Sequence, residues 1–323
     1  MLQRIKILNK EYEVIDTKER LTIPDCIVDS HNKTGIGHGE AKFYVGSKNS
    51  ENFKFFDDFS RRCFFLKNDF IEYLNLVKDE YEHPSQPYRK KDLLKEDWKE
   101  HFKELNTFSD FLEFKLDFKK NIVGIRMYLN SEDKPYLFMR EISLPNITYL
   151  SVLKLKNENG EILYYFKLFV DFFGEESNPH ELKEKEKQIQ ENKKLKDKNE
   201  NVRAREGQGE YRKKLLYECP FCPITMVNDE RLLIASHIKP WIKSDVKEQI
   251  DPKNGFILTP TYDKLFDRGF ITFEDDGVMR VSPWISPTNQ GKLKIRDGIK
   301  IYRLPTKGKE KYLKYHRENV FHK

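Results

Sequence analysis

The feature that most constrains this chain is a stretch with almost nothing to bury. From Glu181 to Glu206 the sequence runs ELKEKEKQIQENKKLKDKNENVRARE, rich in Lys and Glu and nearly free of apolar residues. Such a segment contributes to no hydrophobic core. Opposite charges three and four residues apart support at most a solvated helix, and a flexible charged connector is the plainer reading. A core therefore has to be built separately on each side, and 323 residues are enough for two. The expected organisation is a domain at residues 1–180, a charged linker helix at 181–206 and a second domain at 207–323.

The aromatic content, 24 Phe, 16 Tyr and 3 Trp, supplies large side chains for two modest cores. Net charge is +6, but its distribution says more than its total. Residues 202–323 hold 24 Lys and Arg against 16 Asp and Glu, a net of +8, and the remainder is −2. All the positive excess lies in the last part of the chain, which suits a polyanion partner and also serves solubility. The longest apolar run, around Ile162–Phe173, is interrupted by Lys167 and Asp171 and falls short of a membrane span. Met1-Leu2-Gln3-Arg4-Ile5-Lys6 shows no apolar core followed by a cleavage site, so a cytoplasmic protein with no membrane partner is expected. Four cysteines (Cys26, Cys63, Cys219, Cys222) are too few for a disulfide scaffold and point to a reducing compartment.

Ahead of the linker the pattern is mixed α and β. Asn68–Tyr81 places Phe70, Tyr73, Leu74 and Val77 on one helical face. Ile122–Tyr128, Tyr136–Ile142, Tyr149–Leu155 and Ile162–Val170 read as strands, with a hairpin turn at Asn157–Gly160. Asp110 with Glu113-Phe114-Lys115 has the acidic-x-Lys form of another nuclease class, but charged triplets are frequent in a chain that is 35% charged.

The chemistry-bearing stretch runs from Cys219 to Phe273. Leu232–Ala235 is strand-like and leads into Ser236-His237-Ile238-Lys239-Pro240-Trp241. A polar loop, a turn at Asp251–Gly255 and a second strand at Phe256–Leu258 follow. Thr259 and Pro260 then suit the start of a helix bearing Asp263 and Asp267, and Gly269 suits its end. Residues four apart share a helix face, so the two carboxylates point the same way. A hairpin of the two strands would bring the His237 imidazole above them. One imidazole and two carboxylates suit a general base and a hard divalent cation, Mg²⁺ or Mn²⁺ rather than Zn²⁺.

This segment resembles the HNH endonucleases with their ββα-metal finger, in particular those carrying Ser-His-Ile-Lys-Pro-Trp, then Asn-Gly, then a Leu-Phe-Asp-Arg-Gly helix. The resemblance covers roughly Arg205–Lys323 and takes in Glu206–Arg212 and Tyr312–Arg317. It implies that His237 is the general base, that Asn254 steadies the loop bearing it, and that Asp263 replaces the usual third motif histidine as metal ligand. Asp267, one turn later, is a second ligand by the same resemblance. Ser236 stands where the family often has a first-strand ligand. The implied fold class is α+β: an N-terminal mixed α/β recognition domain, the charged linker and a C-terminal HNH nuclease domain. The implied activity is that of a type II or type IIS-like restriction endonuclease acting on double-stranded DNA, with a transient homodimer where both strands are cut.

Several residues carry secondary expectations. Lys239, Lys243, Lys264, Arg268 and Arg296 are candidate phosphate contacts around the site. Arg61, Arg62, Arg89, Lys90, Lys91, Lys119 and Lys120 are candidates for a base-reading patch. Cys219-Pro220-Phe221-Cys222 has the spacing of half a zinc site, but no second pair follows, so structural Zn²⁺ is disfavoured and two buried small side chains are expected. His316 and His322, on a Lys-rich terminal helix, are expected at the surface, and Trp241 is expected to pack. The rival functions are a modification-dependent endonuclease, a DNA-binding protein with an inactive finger (the change at Asp263 favours this) and a structural RNA-binding protein.

Overall fold

The computed structural model describes residues 3–21, 23–25, 33–34, 43–47, 50–56, 62–86, 88, 91–120, 127–171 and 199–323. The chain divides into two compact units, Met1–His180 and Glu181–Lys323. Residues 181–198 of the expected linker, together with Arg61, Arg89, Lys90 and Cys26, lie outside the described residues.

In the first unit the strands are β1 (Arg4–Ile7), β2 (Lys10–Leu21), β3 (Ile23–Asp25), β4 (Lys33–Thr34), β5 (Phe43–Gly46), β6 (Arg62–Leu66), β7 (Phe111–Lys115), β8 (Asp117–Lys120), β9 (Met127–Asn130), β10 (Thr148–Asn157) and β11 (Ile162–Val170). The helices are α1 (Glu51–Phe55), α2 (Lys67–Leu76), α3 (Lys78–Glu82), α4 (Leu94–Leu105) and α5 (Lys134–Ile142). A six-stranded sheet runs β1-β2-β10-β11-β6-β7 and a three-stranded sheet runs β5-β9-β8. All neighbours in the larger sheet are antiparallel except β11 and β6. The β1–β2 hairpin closes on Leu8-Asn9, both at positive φ, the backbone that a two-residue turn between right-twisted strands requires. Helices α2 and α4 cover a core in which Phe65, Phe70, Tyr73, Phe114, Phe138 and Phe166 are buried.

Two expectations for this unit change. Tyr136–Ile142 is helical, not extended: Pro135 fits the first turn, and Tyr136, Met139 and Ile142 recur at the three-residue spacing of a buried helical stripe. The helix expected over 68–81 forms but breaks at Val77 into α2 and α3, with Phe70, Tyr73, Leu74 and Val77 all buried. The strand expected at Ile122–Tyr128 falls largely on residues outside the description, and β9 begins at Met127. The strands at Tyr149–Leu155 and Ile162–Val170 lie within β10 and β11, paired in register across the Asn157–Gly160 turn. Glu113 is held by Arg62 through two bonds of 2.6 and 3.0 Å, a structural ion pair on the sheet. Arg62 also faces Glu161 at 3.6 Å, and the side chains of all three stay partly exposed.

In the second unit α6 (Asn199–Glu218) precedes a hairpin of β12 (Ile234–His237) and β13 (Gly255–Leu258). Helix α7 (Pro260–Asp267) packs back on β12. A second hairpin, β14 (Ile271–Phe273) with β15 (Met279–Val281), leads to α8 (Pro287–Leu293) and α9 (Glu310–Asn319). The expected strand–loop–strand–helix order is present. Its first strand starts at Ile234, because Glu230–Leu232 is a 3₁₀ turn opened by Asp229, whose carboxylate accepts the Arg231 amide. Thr259 starts α7 through its backbone but makes no side-chain cap, and its hydroxyl lies 3.9 Å from Cys222 Sγ instead. Gly269 stops α7 with φ +67, and a Cβ there would fall 2.0 Å from the Val320 carbonyl oxygen.

His316 corrects the surface expectation, since it is 1% exposed. Its ring stacks on Phe266 at 4.0 Å; Nε2 donates to the Phe266 carbonyl and Nδ1 accepts from the Thr272 hydroxyl, both at 2.9 Å. Burial, with smaller repulsion from Arg317 and His322, lowers its pKa to about 4 although the Phe266 carbonyl favours the proton. The fold accommodates the neutral ring, so this stability is complete above the ordinary value near 6.5 and is lost as pH falls from there towards 4. At about 1.4 kcal/mol per unit the full loss is on the order of 3 kcal/mol. Melting curves between pH 7 and pH 4 are expected to show this fall, and His316→Gln to flatten it; equal slopes for both proteins would contradict the assignment.

Candidate active site

The site is built on the register of one hairpin. His237 pairs with Gly255 and Ser236 with Phe256. Alternation along β12 puts Ser236 on the buried face and the half-buried His237 on the other. His237 Nε2 lies 2.9 Å from the Gln249 carbonyl oxygen. A carbonyl only accepts, so Nε2 carries a proton, and in the neutral form of the ring the lone pair is then on Nδ1. The Gln249 side-chain amide donates to the carbonyls of Trp241 and Ser244 at 3.2 and 3.1 Å, which folds the loop that presents its own carbonyl to His237. Trp241 is half-buried there, in the 3₁₀ turn Trp241–Lys243.

Asn254 closes that loop. It is fully buried, and its Oδ1 accepts the Lys239 amide at 2.8 Å. Its Nδ2 faces three acceptors, Lys239 O at 3.3 Å, Ser244 Oγ at 3.2 Å and Glu248 O at 3.1 Å. Its own carbonyl accepts the Ile238 amide at 3.2 Å and the Tyr211 hydroxyl at 2.9 Å. The Asn-Gly pair is therefore no reverse turn: Asn254 ends the 3₁₀ turn Pro252–Asn254, and Gly255 opens β13 with extended φ −167 and ψ 167. Glycine is required there for space, because a Cβ would fall 1.9 Å from Tyr211 Oη.

Sequence reasoning gave no functional role to the residues that hold this hairpin from outside. The Tyr211 ring stacks on His237 at 4.6 Å with the planes 10° apart. Lys309 is fully buried and donates to Glu218 at 2.7 Å and to the carbonyls of Pro252 and Gly255 at 2.9 Å. Burial draws the Lys309 ammonium below its ordinary pKa, opposed by Glu218. The Glu218 carboxyl is itself raised by burial, but Lys253 and Lys309 hold it below its usual range. Tyr312 donates to Asp251 at 2.8 Å. Tyr211 and Tyr312 lie in segments marked by the resemblance, whereas Lys309 has no local pattern to give it away.

Asp263 and Asp267 occupy successive turns of α7, Asp263 half-buried and Asp267 exposed, while Tyr262, Leu265 and Phe266 pack inward. Among the described residues no three His, Cys, Asp or Glu side chains form a ready cage for a cation. A hard cation that takes one or two carboxylates and completes its shell with water and phosphate does not need one, and this donor pair fits it. Of the candidate phosphate contacts, Lys243, Lys264 and Arg296 are exposed and Arg268 is half-buried. Lys239 is committed within the loop, 2.5 Å from Glu248 and over the Tyr315 ring. In the first unit Lys91 is exposed, and the side chains of Lys119 and Lys120 lie outside the description. Cys219 and Cys222 are buried and unbridged, and burial raises the Cys219 thiol.

Residues 222–274 match the HNH endonuclease family, so the second unit contains an HNH endonuclease domain. The match indicates a nuclease, with DNA as its substrate. No curated protein matches the chain. Among the described residues no helix is long and apolar enough to cross a membrane.

Asn254→Ala strands buried partners and is expected to destabilise the protein by about 1–3 kcal/mol. Denaturant unfolding measures the loss, and faster hydrogen exchange at the Lys239 amide reports the opened loop. An unchanged midpoint would show that Asn254 is not the closure.

Proposed function

We propose that this protein is a metal-dependent, sequence-specific DNA endonuclease of the type II restriction class, with a reader in residues 1–180 and the cutter in the second unit. The observation that carries the catalytic half is the hydrogen bond from His237 Nε2 to the Gln249 carbonyl, which leaves Nδ1 as the proton acceptor. Neutral imidazole in that tautomer takes a proton from water near pH 7. The hydroxide attacks the scissile phosphorus, and the bond to the 3′-oxygen breaks. Asn254 maintains the loop, and through it the carbonyl that orients the base.

Asp263 and Asp267 are the residues that would hold the cation, and their oxygen donors suit Mg²⁺ or Mn²⁺. When bound, such an ion offsets charge on the phosphoryl group and on the leaving oxygen. Lys243, Lys264 and Arg296 have the exposure that phosphate contacts require. One base serves one strand, so a duplex is cut by two successive nicks or by two copies of the chain meeting transiently.

The assignment of reading to residues 1–180 is supported by their separate aromatic core, which the HNH domain does not need. The net charge of −2 outside residues 202–323 is compatible with reading bases, since that takes a local basic patch. A reader separate from the cutter favours cleavage displaced from the recognised site, as in type IIS enzymes.

Plasmid incubated with the protein and Mg²⁺ is expected to be cut, and sequencing the fragment ends gives specificity and offset together. His237→Ala should lower the rate by about 10²–10⁴-fold with DNA binding nearly intact. Asp263→Ala should raise the Mg²⁺ concentration needed for half-maximal rate and lower the rate at saturation. No cleavage by the wild-type protein with any divalent cation would leave a DNA-binding protein; cleavage only of methylated plasmid would make it a modification-dependent enzyme.

A further inference from the structure

We propose that Tyr211 is a positioning residue for His237, fixing the plane of the imidazole from outside the HNH-matched segment. This rests on the reading of His237 as the general base. A bond from Nε2 to the Gln249 carbonyl fixes one direction in the imidazole plane but lets the ring roll about that axis. A parallel ring 4.6 Å away, with the planes 10° apart, removes that freedom and so sets where the Nδ1 lone pair points.

The surroundings hold Tyr211 to this task at both ends. Its hydroxyl donates to the Asn254 carbonyl at 2.9 Å, tying the stacked ring to the residue just before Gly255, the partner of His237 in the hairpin. Gly255 is the residue that leaves room for that hydroxyl. The next residue, Arg212, donates to the Leu233 and Glu230 carbonyls at 2.8 and 2.7 Å, so this turn of α6 is fastened to the approach to β12. Burial, with Asp251 and Tyr312, pushes the Tyr211 phenol well above its ordinary pKa, so it stays a donor. Tyr211 thus links His237 on β12 to the turn that leads into β13.

The test uses the full chain, plasmid cleavage with Mg²⁺ and imidazole ¹⁵N spectra of His237 at pH 7.5. Tyr211→Phe keeps the stack and loses the tether; Tyr211→Met keeps bulk and loses the aromatic face. Misplacing a reacting group by about 1 Å costs up to about 100-fold. Tyr211→Met is therefore expected to lower kcat by about 10–100-fold, and Tyr211→Phe by about three- to fivefold, with KM for plasmid unchanged. The spectrum should pass from one Nε2-protonated tautomer in the wild type to a mixture in Tyr211→Met. Wild-type kcat in whichever of the two variants retains a cooperative melt overturns the proposal. His237→Ala run in parallel separates the two failures, because activity in that variant removes the base assignment itself.

Discussion

One carboxamide carries the architecture of the site. Asn254 has two N–H protons and three acceptors within reach, so at least one proton is shared, and its oxygen is taken by a backbone amide. With its carbonyl closing onto Ile238, it pins both ends of a loop made mostly of polar residues that have little else to bury. Ordering a residue costs roughly 1–2 kcal/mol of backbone entropy, which surface polar side chains do not recover. A buried hub whose polar atoms are all bonded does what a small core would do elsewhere.

The first unit holds a comparable polar device inside its sheet. Lys167 on β11 sits 3.0 Å from Asp69 and 2.8 Å from Glu72 on α2, and the Tyr165 hydroxyl donates to Asp69. Burial raises the Asp69 carboxyl, against the pull of Lys167 and Tyr165. Such a group stabilises only while complete, since removing one member leaves the others desolvated and unpaired. It ties α2 to β11 at two residues of the helix.

What could be read in the sequence is local. The two-strand and helix pattern, the stop at Gly269, the buried face of Phe70, Tyr73, Leu74 and Val77, and the Asn157–Gly160 turn each follow from spacing within about a dozen residues. Tyr136–Ile142 has the aromatic content of a strand, and only the three-residue spacing of Tyr136, Met139 and Ile142 marks the helix. Asn254-Gly255 looks like a turn, and what excludes a side chain at Gly255 is a hydroxyl 44 residues earlier in the chain. His316 looks like one more polar residue of a basic helix, and its burial depends on Phe266 and Thr272. Contacts of that range have no periodicity to betray them.

Lys309 bears on where the HNH domain of this chain begins and ends. Its ammonium joins the last turn of α6, the carbonyls flanking Asn254 and the start of α9, with no exposure to water. The 53 residues that match the HNH endonuclease family are therefore held in part by groups outside their own span. Their backbone geometry is held by a clamp whose two jaws, Glu218 and Lys309, both lie outside them. A piece cut at the borders of the match would carry His237 and Asn254 without Tyr211, Glu218 and Lys309, which hold them here. In this chain the bonded frame around the matched segment reaches from α6 to α9.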